Sequence, residues 1–216
     1  LELTPYDICS EALGLSLSDC HWLRPQDADY SWEDVNFYNR LFDEEPGKLL
    51  FNKDVEGLRR AHKISWDVPE STTNGALSKR WEIRNGRRYL TKGSTPPHWQ
   101  QPYNEAIASL LAEKLEIPHV DYHVELGEKD IPMSVCPCFA STEHEFIPAD
   151  QIRTILRRDA SNSLYEHYVA CCRKLGVEAD IILNQMIVLD YLMLNNARHF
   201  NNFRLMQNTT TLEYYH

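Results

Sequence analysis

The run Leu194-Asn195-Asn196-Ala197-Arg198-His199-Phe200-Asn201-Asn202-Phe203 gathers the polar groups of this chain best suited to chemistry. It lies between an apolar helical stretch, Ile181 to Met193, and an alternating stretch, Phe203 to Met206, that reads as a hairpin with Leu212 to Tyr215. A polar loop with Arg and His, held between a buried helix and a hairpin, is where catalytic or phosphate-handling groups are placed on a rigid base. The spacing suggests phosphoryl transfer. That chemistry uses a base that meets the acceptor hydroxyl and, five positions later, an asparagine that holds a metal on the phosphates. Asn202 stands five residues after position 197, and position 197 is alanine. The loop has the architecture of such a site without the base. Asp190, a lone polar residue in the apolar helix, is expected to hydrogen-bond the backbone of the loop.

A second set of groups lies upstream. Lys79 to Arg84 and Arg87 to Lys92 alternate around Asn85-Gly86, and both turn residues tolerate positive φ, so a hairpin is predicted there. Lys92 ends the second strand. Glu105 falls in the first turn of a helix that starts at Gln101-Pro102, where proline is tolerated. Ile107, Leu110, Leu111 and Leu115 give that helix an apolar stripe. Taken singly, Lys92 is a solvated strand-end lysine and Glu105 a partner of the helix dipole. Taken together with the loop at 197–202, they match the ion pair that fixes the phosphate-binding lysine in kinase folds. Ahead of the hairpin, the small polar loop around Asn74 and Gly75 could fold over phosphates or be an ordinary surface turn.

The remaining elements position these groups. Residues 1–66 are rich in Trp, Asp and Leu and read as a packing or adaptor segment, with a helix start capped by Ser31 and Asp34. His119 to Leu126 alternates as a strand, which puts His119 and His123 out of reach of a shared metal, and Met133 to Cys136 reads as another. Pro137-Cys138-Phe139 fits a crossover into helices over 149–158 and 163–175, the second closed by Gly176.

With 216 residues and 43% hydrophobic composition, the chain can build one large domain or two small lobes. Its formal net charge of −10 argues against direct nucleic-acid binding, which needs a basic face, but leaves room for ATP, which needs a few local cations. No apolar run reaches membrane-spanning length and no signal peptide is visible, so no membrane partner is expected. Six cysteines without CxxC or histidine spacing read as free thiols in a cytoplasmic protein. The chain opens on Leu1 and reads as a trimmed fragment.

These pieces resemble the HipA-like serine/threonine kinases, in their clostridial-type branch. The matching segments are Lys79-Arg80-Trp81, Tyr89 through Ser94, Gln101 through Ala108, Tyr165 through Gly176, Leu189-Asp190-Tyr191, Arg198 through Phe203, and Thr211-Leu212-Glu213. The resemblance implies an α+β, bilobal protein-kinase-like fold. Its parts would be an N-terminal segment (1–66), a strand-rich N-lobe (67–139) and an incomplete helical C-lobe (140–216). It also implies roles. Lys92, steadied by Glu105, contacts the α- and β-phosphates of ATP, and the Asn74–Gly75 loop covers them. Cys136 to Phe139 forms the adenine-side hinge. Asn202 holds magnesium, while Arg198 and His199 brace the catalytic loop.

The chain departs from that pattern. The family's loop reads Asp-Arg-His where this one reads Ala197-Arg198-His199, so the proton-accepting carboxylate is missing. Arg204 replaces a glycine after Phe203, and Pro137 removes a backbone donor from the hinge. The segment carrying a second metal-binding aspartate is expected beyond His216. Two accounts fit: Ala197 is an engineered substitution in an inactivated kinase, or the chain is a degenerate relative, a pseudokinase, which Arg204 and Pro137 favour. The family activity implied is ATP- and magnesium-dependent phosphoryl transfer to a protein serine or threonine, with little or none expected here. The rival expectation is an interaction module that docks an antitoxin-like repressor or an intact kinase without catalysis.

Overall fold

The computed structural model describes residues 5–54, 56–57, 65–72 and 77–216. The Asn74–Gly75 loop lies outside the described residues. The chain divides into two compact units, one formed by residues 1–109 and 120–141 and the other by 110–119 and 142–216.

The first unit is built on an antiparallel sheet of strands β1 (Lys79–Arg84), β2 (Arg87–Lys92), β3 (His123–Leu126) and β4 (Pro132–Pro137), in the order β1-β2-β4-β3. The predicted hairpin forms with Arg84 opposite Arg87 and Lys79 opposite Lys92. Asn85 and Gly86 take φ of 51° and 78°, the left-handed pair that a two-residue hairpin turn requires. Lys92 pairs with Ser134 and Leu90 with Cys136. Because side chains alternate across a sheet, Lys92, Ser134 and Cys136 share one face, while Thr91, Val135 and Met133 share the other. Residues 13–42 belong to this same unit. Leu15, Leu17 and Phe37 bury against Trp81, with Leu90 and Cys138 packed on the cluster. The helix start at Ser31 does form, with the Asp34 carboxylate accepting the Ser31 N–H at 2.8 Å, but it runs only from Trp32 to Val35.

His119 to Tyr122 were expected to extend β3 and do not. The Ser109 hydroxyl takes the backbone there instead, accepting the Tyr122 N–H at 3.1 Å and donating to the Val120 carbonyl at 3.4 Å. The helix Gln101–Lys114 forms as predicted, but its apolar stripe points outward: Ile107, Leu110 and Leu115 are exposed, and Pro102 and Ala112 are buried. Glu105, on the same helix, reaches Lys92.

The second unit has its own antiparallel sheet of β5 (His144–Pro148), β6 (Arg204–Asn208) and β7 (Tyr214–Tyr215), in that order. The hairpin of β6 and β7 matches expectation. Strand β5 was not expected: its five residues, His144-Glu145-Phe146-Ile147-Pro148, show little alternation and end on a proline. The helix Leu164–Lys174 starts on a capping box, the Ser163 hydroxyl accepting the Glu166 N–H, and ends at Gly176 with φ 80°. Its buried side, Tyr168, Val169, Cys171 and Cys172, forms the core with Val177, Ala179, Leu183 and Leu205. The helix expected over 149–158 stops at Ile152, where the Thr154 hydroxyl bonds back to the Gln151 carbonyl at 2.7 Å. The helix Asp180–Leu192 is not the buried element its composition suggested. Leu183 alone among its residues is fully buried, and Ile181 and Tyr191 are 74% and 79% exposed.

Candidate active site

In the first unit, four elements bring five side chains together. Lys92 at the end of β2 donates from Nζ to Glu105 Oε1 at 2.7 Å and to the Tyr122 hydroxyl at 2.7 Å. The other Glu105 oxygen accepts from the Ser134 hydroxyl on β4. Lys92 is 16% exposed and Glu105 29%, so solvent screens their attraction only in part. The ammonium also lies 4.4 Å from the centre of the Tyr122 ring. An ammonium has three N–H donors, and two are engaged here. The third N–H is left for one further acceptor, such as an anionic oxygen. Cys136 lies beside this cluster, and burial pushes its thiol above the ordinary cysteine range.

Tyr122 was not singled out from the sequence. It lies in a segment that reads as strand, and no local spacing ties it to Lys92. Residues 119–122 stand outside the strand, with the Tyr122 N–H bonded to the Ser109 hydroxyl, and the Tyr122 hydroxyl meets the lysine.

Of the expected hinge residues, Cys136 is buried on β4 and Phe139 is 43% exposed. Pro137 still pairs across the sheet with Tyr89, and Cys138 donates its N–H to the Arg88 carbonyl at 2.8 Å.

In the second unit, the loop at 195–202 is tied to the helix before it. Both Asp190 oxygens accept from Arg198, and Asn195 Nδ2 donates to Asp190 Oδ1 at 2.7 Å. Burial alone would raise the Asp190 carboxyl, but these bonds outweigh it and hold the group below the usual range. The expected bonding of Asp190 to the loop is therefore made through side chains. Asn202 Nδ2 donates to the Ala197 carbonyl at 2.9 Å, closing the five-residue span, and the Asn202 N–H donates to the His199 carbonyl at 2.8 Å. His199 Nδ1 accepts the Asn201 N–H at 3.3 Å. Ala197 is exposed and offers no side-chain acceptor.

The Asn202 amide oxygen is the loop's candidate metal donor. One neutral oxygen is too little for magnesium, which takes about six ligands. Among the described residues no group of three His, Cys, Asp or Glu is placed to hold a metal. The residues present do not by themselves make a magnesium site. No helix among the described residues is long and apolar enough to cross a membrane.

No family model matches this chain, and no curated protein does. Among solved structures it is similar to the crystal structure of a Helicobacter pylori proinflammatory kinase, CtkA, with 16% identity and a TM-score of 0.51. The likeness covers 63% of this chain and 50% of that one, so the chain spans about half the length of the kinase it matches. At that identity the likeness speaks for the fold: a mixed helix-and-sheet chain, distantly kinase-like.

Proposed function

We propose that this chain is a nucleotide-binding domain of the HipA-like serine/threonine kinase type that retains ATP binding and has lost efficient phosphoryl transfer. The observation that carries the reading is the Lys92–Glu105 ion pair, with one ammonium donor left over for a phosphate. Loss of transfer follows from Ala197, which can neither accept the acceptor's proton nor orient its hydroxyl. The short metal donor set acts in the same direction, because phosphoryl transfer depends on charge neutralisation at the phosphates.

Thermal melting with and without magnesium-ATP tests the binding half. At ten times Kd a ligand that binds only the folded state adds about 1.4 kcal/mol, a rise of about 3–5 °C. Lys92→Ala should abolish the rise relative to its own nucleotide-free melt. No rise in the unaltered chain would overturn nucleotide binding. Radiolabelled ATP tests the other half, and autophosphorylation at ordinary kinase rates would overturn it.

A second reading, an interaction module that binds a protein such as an antitoxin-like repressor, is favoured by one observation. The helix Asp180–Leu192 and the residue after its cap leave Ile181, Val188, Tyr191, Leu192 and Leu194 exposed. Absence of a nucleotide-dependent rise, together with self-association lost in an Ile181→Lys/Tyr191→Glu variant, would favour it.

A further inference from the structure

We infer that the first unit carries a separate binding site for a small amphipathic anion, an organic phosphate or carboxylate with an apolar group, on the face of the sheet opposite Lys92. A cavity of about 560 Å³ lies there, within the range of small-molecule sites. Its walls come from the end of the helix Glu45–Phe51, the start of β1, the chain after β2 and the β3–β4 connection. Arg80 and Met133 line it. Arg80 pairs with Thr91, and Met133 has the parity of Val135, whereas Lys92 and Ser134 point to the other face. The cavity is therefore not the nucleotide site proposed above.

Its chemistry is two-sided. Phe51, Trp99, Ile131 and Met133 supply an apolar lining. Two glycines let that lining close on the backbone. A Cβ at Gly127 would stand 2.9 Å from the Met133 sulfur, and one at Gly93 would stand 3.3 Å from the Phe51 ring. The charged residues are Lys53, Lys129 and Arg80 against a single acid, Glu128. Arg80 is charge-compensated by Glu82, so the Lys53 and Lys129 ammonium groups, set against Glu128, give the cavity a small local excess of positive charge in a chain of net charge −10. The Arg80 guanidinium is held in place, lying over the Phe51 ring at 4.8 Å and donating from Nη2 to Glu82 Oε1 at 2.6 Å. A planar guanidinium held against the Phe51 ring, in a cavity also lined by Lys53, Lys129 and Trp99, suits an anion joined to an apolar body.

Isothermal titration with phenyl phosphate tests this. Saturable binding is expected, with inorganic phosphate at least about tenfold weaker, since it has no apolar part to bury. A Lys53→Ala/Lys129→Ala variant, altered at exposed side chains that leave the fold unchanged, should bind about tenfold more weakly. Added salt should weaken the unaltered chain more than this variant. Lys92→Ala should bind phenyl phosphate as the unaltered chain does, even if it has lost ATP. No saturable binding, equal binding of inorganic phosphate, or binding lost in Lys92→Ala and kept in the double variant would each overturn the proposal.

Discussion

Arg198 meets Asp190 at two points, Nε to Oδ2 and Nη2 to Oδ1, each 2.7 Å long. A fork-on-carboxylate contact fixes both partners in one orientation, so it ties the loop that begins at Asn195 to the end of the preceding helix. Asp190→Asn keeps the shape and removes the charge, and should cost about 1–3 kcal/mol in urea unfolding. The folded-state carboxyl is held low, so its contribution is fully present above the unfolded aspartate value of about 3.9 and is lost as pH falls through the folded value. The unfolding midpoints of the two proteins should therefore converge below about pH 4. A constant gap down to pH 3 would refute the assignment.

Replacing Ala197 with aspartate restores the carboxylate that the loop lacks. The site is exposed, and its backbone already bonds to Asn195 Oδ1 at 3.2 Å and to Asn202 Nδ2 at 2.9 Å. Ala197→Asp should therefore change stability by no more than about 0.5 kcal/mol. It should not restore phosphoryl transfer, since the loop still offers one amide oxygen for a metal. Radiolabel transferred from ATP to the variant or to an added protein would count against that prediction.

Glu105 is held from two sides, by the Lys92 ammonium on one oxygen and the Ser134 hydroxyl on the other. Glu105→Gln places an amide NH₂ where one of these donors points, so two donors face each other. A loss of about 1–3 kcal/mol in stability is expected. The rise in melting temperature with magnesium-ATP should shrink as well, because Lys92 loses the charge that positions it. An undiminished rise would mean that Lys92 does not need Glu105.

What the sequence disclosed follows the range of the interactions involved. The β1–β2 hairpin was legible because Asn85-Gly86 encodes its own turn. The ends of the helix Leu164–Lys174 were legible because Ser163, Glu166 and Gly176 mark them locally. The Lys92–Glu105 pair was legible through the resemblance to kinases, thirteen residues apart in the chain. Tyr122 was not, since its segment reads as strand while its N–H bonds to the Ser109 hydroxyl, a contact that no local spacing announces. The exposure of Ile181 and Tyr191 was hidden for a related reason. Apolar composition marks a side chain as able to be buried and does not say that a partner surface is present.

Glu70 provides a test of the first unit that is independent of any ligand. Its Oε1 accepts the Trp81 N–H at 2.6 Å, and its Oε2 is buried with no hydrogen-bond partner. Gly47 makes room for it, since a Cβ there would collide with Oε1. Burial pushes the carboxyl up to about 7, the Trp81 N–H offsets this in part, and nearby Glu44 adds to it. An unfolded glutamate ionises near 4.3. Below that value both states are protonated and the group has no effect. Between there and about 7 the folded protein keeps a proton that the unfolded chain has released, so stability falls as pH rises, by about 3–4 kcal/mol in all. Glu70→Gln cannot ionise. Its urea midpoint should lack this decline, so its stability relative to the unaltered chain should climb between pH 4.5 and 7.5. Parallel pH profiles for the two proteins would show that Glu70 ionises freely in the folded state.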